Sequence, residues 1–155
     1  KANVDKKIKE STDLYVNMND AKVQMAGFAE YEAHLSNAMQ SYMDKYPDVM
    51  KQNPFGLVES FNLQYYPIGG GFKSDHHERS GELDKTIKRM LVFMTYLNDV
   101  PDGGTNFKYF DHKETAVKGK TLIWPSDWTH THSGEISHTQ EKMIATGWFS
   151  FIWDL

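Results

Sequence analysis

The apolar pattern of this chain switches period once, near Phe55, and that switch limits the fold more than any other feature. Ahead of it, over residues 21–46, Phe28, Tyr31, Leu35, Ala38, Met39 and Tyr42 recur at steps of three and four, which predicts an amphipathic helix ended by Pro47. Behind it the step is two, with Phe61, Leu63 and Tyr65 alternating with Asn62, Gln64 and Tyr66 as on a strand. Residues 89–97 form a nearly continuous apolar run suited to a strand buried on both faces, and residues 98–104 form a turn cluster. Further strands are predicted at 106–110, 115–117, 121–124, 128–132 and 142–153, and an edge strand at 12–16. Many short strands behind one helix predict a mainly β fold with supporting helices, a sandwich or barrel.

A length of 155 residues predicts one domain, spanning 1–155. The chain opens at Lys1 without a methionine, as a trimmed chain lacking an N-terminal element would. A net charge of −4 and a pI near 6.0 supply no basic field for a nucleic-acid backbone. Cysteine is absent, so disulfides, thiolate zinc sites, iron–sulfur clusters and thiol nucleophiles are excluded, and any metal must use nitrogen and oxygen ligands. With neither a membrane-length apolar run nor a signal-peptide pattern, the expectation is a soluble, cytoplasmic protein without membrane or nucleic-acid partners.

Six of the seven histidines, His76, His77, His112, His130, His132 and His138, fall in the strand-rich half. His76 and Glu78 are one residue apart, so in an extended segment both side chains leave the same face. His132 closes a later strand, just past the turn at 125–127, and supplies a third donor. Two imidazoles and one carboxylate on one face of a metal leave positions open and are diagnostic of non-heme iron(II) oxygenases. Lys142 strengthens the case, because an ammonium inside a strand-rich core is costly unless it meets an anion. Facing sheets about 10 Å apart would let a metal on one and a cation on the other bracket a small dicarboxylate. Trp148 shares a strand face with Lys142.

Together these residues resemble the 2-oxoglutarate oxygenases of the prolyl 4-hydroxylase type. The family's motifs appear in order as Tyr66-Pro67-Ile68-Gly69-Gly70, His76-His77-Glu78, Tyr96-Leu97-Asn98-Asp99-Val100, Gly103-Gly104-Thr105-Asn106-Phe107, His132, Lys142 at the tenth position beyond it, and Trp148. The resemblance implies a double-stranded β-helix, the cupin-like jelly roll, in which His76, Glu78 and His132 hold Fe(II). It implies that Lys142 pairs with the C5 carboxylate of 2-oxoglutarate, that Trp148 walls that pocket, and that Tyr66 offers its hydroxyl to the same carboxylate. The implied reaction hydroxylates an unactivated carbon with dioxygen while 2-oxoglutarate becomes succinate and carbon dioxide, with ascorbate as a candidate reductant. The implied substrate is an amino-acid side chain, foremost a prolyl residue of a peptide or protein, or a small amino-acid-like molecule. The sequence leaves oligomeric state open.

Three departures stand out: Glu78 replaces the commoner aspartate, one extra residue precedes His76, and the Gly-Gly turn is about one residue short. A retained carboxylate argues against halogenating relatives, and a lysine in place of arginine argues against nucleic-acid demethylases. His130 shares the predicted strand face of His132 and stays open as a ligand, though its spacing to Lys142 does not fit the family. A cupin-like metal enzyme using His76, Glu78, His130 and His132 without 2-oxoglutarate is therefore the rival reading, followed by a catalytically silent jelly-roll binding module. Arg79 and Arg89 are candidates for substrate recognition or for plain solvation. Trp124 and Trp128 flank a turn as packing or as substrate contacts.

Overall fold

In a computed structural model the described residues are 8–18, 20, 25–80 and 84–152. Helix α1 (Phe28–Lys45) carries the predicted stripe but starts later than the periodicity suggests. Gly27, with φ of 79°, turns the backbone left-handed just ahead of it. Residues 21–24 of the predicted span lie outside the described residues. Phe28, Leu35 and Met39 are buried, and a turn of 3-10 helix (Pro47–Lys51) follows.

Strands β1 (Thr12–Val16), β2 (Phe55–Gly56), β3 (Phe61–Tyr66), β4 (Arg89–Tyr96), β5 (Val100–Phe107), β6 (His112–Ala116), β7 (Thr121–Pro125), β8 (His132–Gly134) and β9 (Lys142–Phe151) build two sheets. The larger runs β1-β3-β9-β4-β7, with β2 also on β9; the smaller runs β6-β5-β8. Every pairing is antiparallel. A one-turn helix α2 (Asp84–Ile87) leads into β4. Among the described residues no helix is long and apolar enough to cross a membrane.

The larger sheet is buried on both faces, and this organises the molecule. One face presents Phe61, Leu91, Phe93 and Phe149 to α1, where Phe28 stacks on Phe61 at 5.9 Å. The other presents Tyr66, Val92, Met94, Tyr96 and Ile144 to the smaller sheet, which answers with Val100 and Phe107. The fold is thus mainly β with helical backing, as the periods predict, and takes the jelly-roll form that the resemblance implies.

Two predicted elements differ. The turn expected at 98–104 is mostly strand, because β5 already begins at Val100. The glycines there serve close approach: a β-carbon at Gly104 would collide with the Glu114 carbonyl, and one at Gly103 with Val100. The β5–β6 register shifts between Val100 and Thr105, so these are bulge glycines within a strand. The strand expected at 128–132 is instead a 3-10 turn (Trp128–His130) followed by β8. Thr131 closes that turn by donating its hydroxyl to the Trp128 carbonyl at 2.7 Å.

Candidate active site

The two histidines of the proposed ligand set are tied together through their backbones. His76 donates its N–H to the His132 carbonyl at 3.0 Å, and His132 returns the bond at 2.9 Å. Residues exchanging both bonds across an antiparallel pair put their side chains on one side, and here the imidazole centroids lie 4.4 Å apart. Glu78 donates its N–H to the Ser126 carbonyl at 3.1 Å, which brings its carboxylate to the same place. Oε1 of Glu78 lies 3.5 Å from Nε2 of His76 and 3.9 Å from Nε2 of His132.

The other ring nitrogens decide the tautomers. Nδ1 of His76 faces the Ser74 carbonyl at 3.0 Å, and Nδ1 of His132 faces the His130 carbonyl at 2.9 Å. A carbonyl only accepts, so Nδ1 carries the proton in each ring and Nε2 presents its lone pair. Burial, with His76 adjacent, pushes the His132 pKa down to about 4, so this ring is neutral near pH 7. Burial opposes the charge of Glu78, yet His76, His132 and Arg89 outweigh it and hold its carboxyl below the usual range. Stacking fixes the rings further, with Phe72 on His76 at 3.7 Å and Trp124 edge-on to His132 at 5.0 Å.

These donors open into a cavity of about 210 Å³ between the sheets. Its larger-sheet wall follows the strand period, with Asn62, Gln64 and Tyr66 from β3, Val92, Met94 and Tyr96 from β4, and Lys142, Ile144, Thr146 and Trp148 from β9. Lys142 is 5% exposed and donates from Nζ to the carbonyls of Gly103 at 2.8 Å and Glu135 at 2.7 Å. Burial pushes its pKa down to about 8, against the fields of Glu135 and Asp102. The Tyr66 ring lies 5.3 Å from that ammonium, its hydroxyl donates to Gln64, and burial raises its pKa. The Trp148 indole N–H donates to Oε2 of Glu78 at 3.1 Å.

The six residues singled out in the sequence therefore line one cavity. The remaining histidines do not. His130 sits on the 3-10 turn, bonded to the Thr129 hydroxyl and packed on Phe110, so it no longer shares a strand face with His132. His34 bonds the Thr121 hydroxyl and His112 bonds Glu114. Among the described residues the metal-competent group is His76, Glu78 and His132 alone, which removes the four-ligand rival. Trp124 lines the cavity, whereas Trp128 is exposed.

Sequence reasoning missed Asn62, Gln64, Tyr96 and Thr105 as cavity residues. Polar residues at every second position of β3 were the available signal, since Asn62 and Gln64 alternate with apolar neighbours yet face a buried polar space. Neither arginine candidate is free: Arg79 pairs with Asp127 at 3.0 Å, and the buried Arg89 with Glu59 at 3.0 Å.

Donor chemistry fits ferrous iron. Two imidazoles and one carboxylate, with ligand atoms all within 4.8 Å of one another, match the facial set that this metal favours. Two buried polar atoms without a protein partner, Oδ1 of Asn62 and Nε1 of Trp124, belong to residues of the same cavity, as expected where a polar ligand completes the site.

A family model described as the 2OG-Fe(II) oxygenase superfamily matches residues 61–150. The chain belongs to that superfamily. As a member it is a 2-oxoglutarate-dependent dioxygenase whose cofactors are Fe(II) and 2-oxoglutarate. No curated protein matches it in sequence. Among solved structures it is similar to a Pseudomonas putida prolyl-4-hydroxylase, at 16% identity over 96% of this chain and 76% of that one, with a TM-score of 0.65. It is also similar to the collagen prolyl hydroxylase of Paramecium bursaria Chlorella virus-1 in complex with 2OG, at 18% identity, 93% and 80% coverage and a TM-score of 0.68. A third is a prolyl hydroxylase from Trichoplax adhaerens bound to a hypoxia inducible factor peptide fragment, at 12% identity, 95% and 66% coverage and a TM-score of 0.66. At such identities the likeness to these three is one of fold.

Proposed function

We propose that this oxygenase hydroxylates an amino-acid side chain, a prolyl residue of a peptide or protein being the leading substrate, with His76, Glu78 and His132 holding the iron and Lys142 binding the distal carboxylate of 2-oxoglutarate. One observation carries the reading: a single cavity is lined both by three converging side chains able to hold a metal and by a buried ammonium. Iron(II) with a chelated 2-oxo acid supplies the oxidising chemistry, consuming dioxygen as 2-oxoglutarate becomes succinate and carbon dioxide.

The chain's own residues do the positioning. Lys142 spends two of its three N–H bonds on carbonyls and keeps the third for an anion. Tyr66, turning its hydroxyl from Gln64, adds a donor to that carboxylate, and Trp148 walls the pocket. Apolar Val92, Met94 and Ile144 exclude water between the two ends, which strengthens the ion pair. The prolyl preference is supported by the shared fold of the three prolyl hydroxylases, and the peptide and dioxygen are its partners.

The test is succinate release from 2-oxoglutarate with iron, run against proline-containing peptides and free amino acids and read by mass spectrometry for a gain of one oxygen. A prolyl peptide that gains oxygen in step with succinate supports the reading. Oxygen gain confined to another side chain overturns the substrate, and succinate release undiminished in Lys142→Ala overturns the lysine.

A further inference from the structure

Glu78 is one methylene longer than an aspartate, and the extra rotatable bond lets both of its oxygens turn toward one metal ion. In the structure that freedom is removed. Oε2 accepts from the Trp148 indole N–H at 3.1 Å and faces Nη1 of Arg89 at 3.4 Å, while Oε1 is the oxygen turned to the histidines. Nη1 of Arg89 also lies 3.4 Å from the Glu78 carbonyl, so one guanidinium grips both main chain and side chain.

The grip is itself braced. Arg89 is 9% exposed, stacks its guanidinium 3.4 Å from the centre of the Trp148 ring, and pairs through Nη2 with Glu59 at 3.0 Å. Ser150 donates to Oε1 of Glu59 at 2.7 Å, which fixes the second carboxylate. A buried arginine between two acids is an expensive way to fill space, because well-packed apolar residues usually serve stability as well or better. Its geometry does what an apolar cluster would not, since it gives Oε2 two directed donors.

We propose that Arg89 and Trp148 are positioning residues that restrict Glu78 to ligation through Oε1, so that the coordination position its second oxygen would take stays open for the 2-oxo acid. The inference rests on Glu78 being the carboxylate ligand. It assigns Arg89 and Glu59 a part in cosubstrate binding although neither lines the cavity.

Anaerobic titrations separate the two steps: iron(II) is added first, then 2-oxoglutarate, following the visible charge-transfer band of the chelated 2-oxo acid. Two variants are compared with the wild type. Trp148→Phe keeps the aromatic wall and loses the N–H; Arg89→Gln with Glu59→Gln removes the guanidinium from Glu78 without leaving Glu59 charged and unpaired. Outer-shell substitutions typically cost about 10–100-fold, and here the loss is expected in 2-oxoglutarate affinity, about ten-fold or more, with a shifted band and undiminished iron affinity. Unchanged 2-oxoglutarate affinity in both variants overturns the clamp. So does a parallel fall in both affinities, which marks mere structural support. A wild type that binds iron but gives no band, or binds no iron, overturns the reading of Glu78 and the clamp with it.

Discussion

The two ends of the cavity solve opposite electrostatic problems. At the metal end, charge is answered within the protein: Glu78 meets Arg89, Arg89 meets Glu59, and the two imidazoles have their protons tied to carbonyls. At the other end the Lys142 ammonium donates to two neutral carbonyls, with the side-chain carboxylates of Glu135 and Asp102 acting on it only through their fields. The first end is cross-linked by hydrogen bonds and ion pairs before any ligand arrives. The second holds a cation that burial disfavours and that an incoming carboxylate would relieve. Ligand discrimination should therefore reside at the lysine end and metal retention at the other.

The largest effect tests the division directly. His132→Ala is expected to abolish iron binding and reduce succinate release to background, because it removes one of the three converging donors. Metal content and turnover both check this; retained iron would show that the metal end tolerates two ligands. Lys142→Ala should leave iron affinity intact while 2-oxoglutarate affinity falls. Truncating one partner of a buried hydrogen-bonded charge pair costs about 2–5 kcal/mol, or about thirty-fold and upward in affinity. An equal loss of iron in that variant would erase the distinction between the ends.

How much of this was readable in advance depended on which face of the larger sheet a residue occupies. The apolar face announced itself, since Phe61, Leu63, Leu91 and Phe93 mark strands by period and composition alone. The cavity face was harder, because Asn62 and Gln64 read as a solvent face until the smaller sheet is seen to cover them. The convergence of His76 and Glu78 was legible because their spacing is local. His132 depended on the family's spacing to Lys142, and its neighbour His130 was excluded only by the 3-10 turn. Arg89 was not legible as a partner of Glu78, since the contact joins the start of β4 to a loop and no periodicity reports it. The glycines of β5 read as a turn because a bulge and a turn share the same composition.

A subtler difference between the ends follows from protonation. The folded pKa of Lys142, about 8, lies below its ordinary 10.5. The unfolded chain therefore binds more protons between these values, and stability of the cosubstrate-free protein should rise with pH from about 8 toward 10.5. The burial penalty is fully present below that window. Affinity for 2-oxoglutarate should move the other way, falling by up to about ten-fold per pH unit above 8 as the ammonium is lost. Thermal unfolding and cosubstrate titrations across this range check both slopes. Lys142→Met should flatten the Lys142 contribution to the first, and a slope that survives intact would assign it to another group.

The smallest effect concerns Tyr96, whose hydroxyl lies 2.6 Å from that of Thr105, both residues lining the cavity. Two hydroxyls bonded to each other use one of their two protons and leave the other to donate. With Tyr96 1% exposed, solvent offers that proton no ready partner, whereas a carboxylate held by Lys142 would. Tyr96→Phe takes away one O–H and keeps the ring that packs beside Val100. Thr105 can then donate to the ligand itself, so the loss should stay near the net value of one hydrogen bond, about 0.5–1.5 kcal/mol, or a few-fold in 2-oxoglutarate affinity with iron affinity unmoved. A loss as large as that of Lys142→Ala would mean that the tyrosine, not the lysine, dominates this end. No loss at all would place the distal carboxylate out of reach of the hydroxyl pair and leave Lys142 and Tyr66 to bind it.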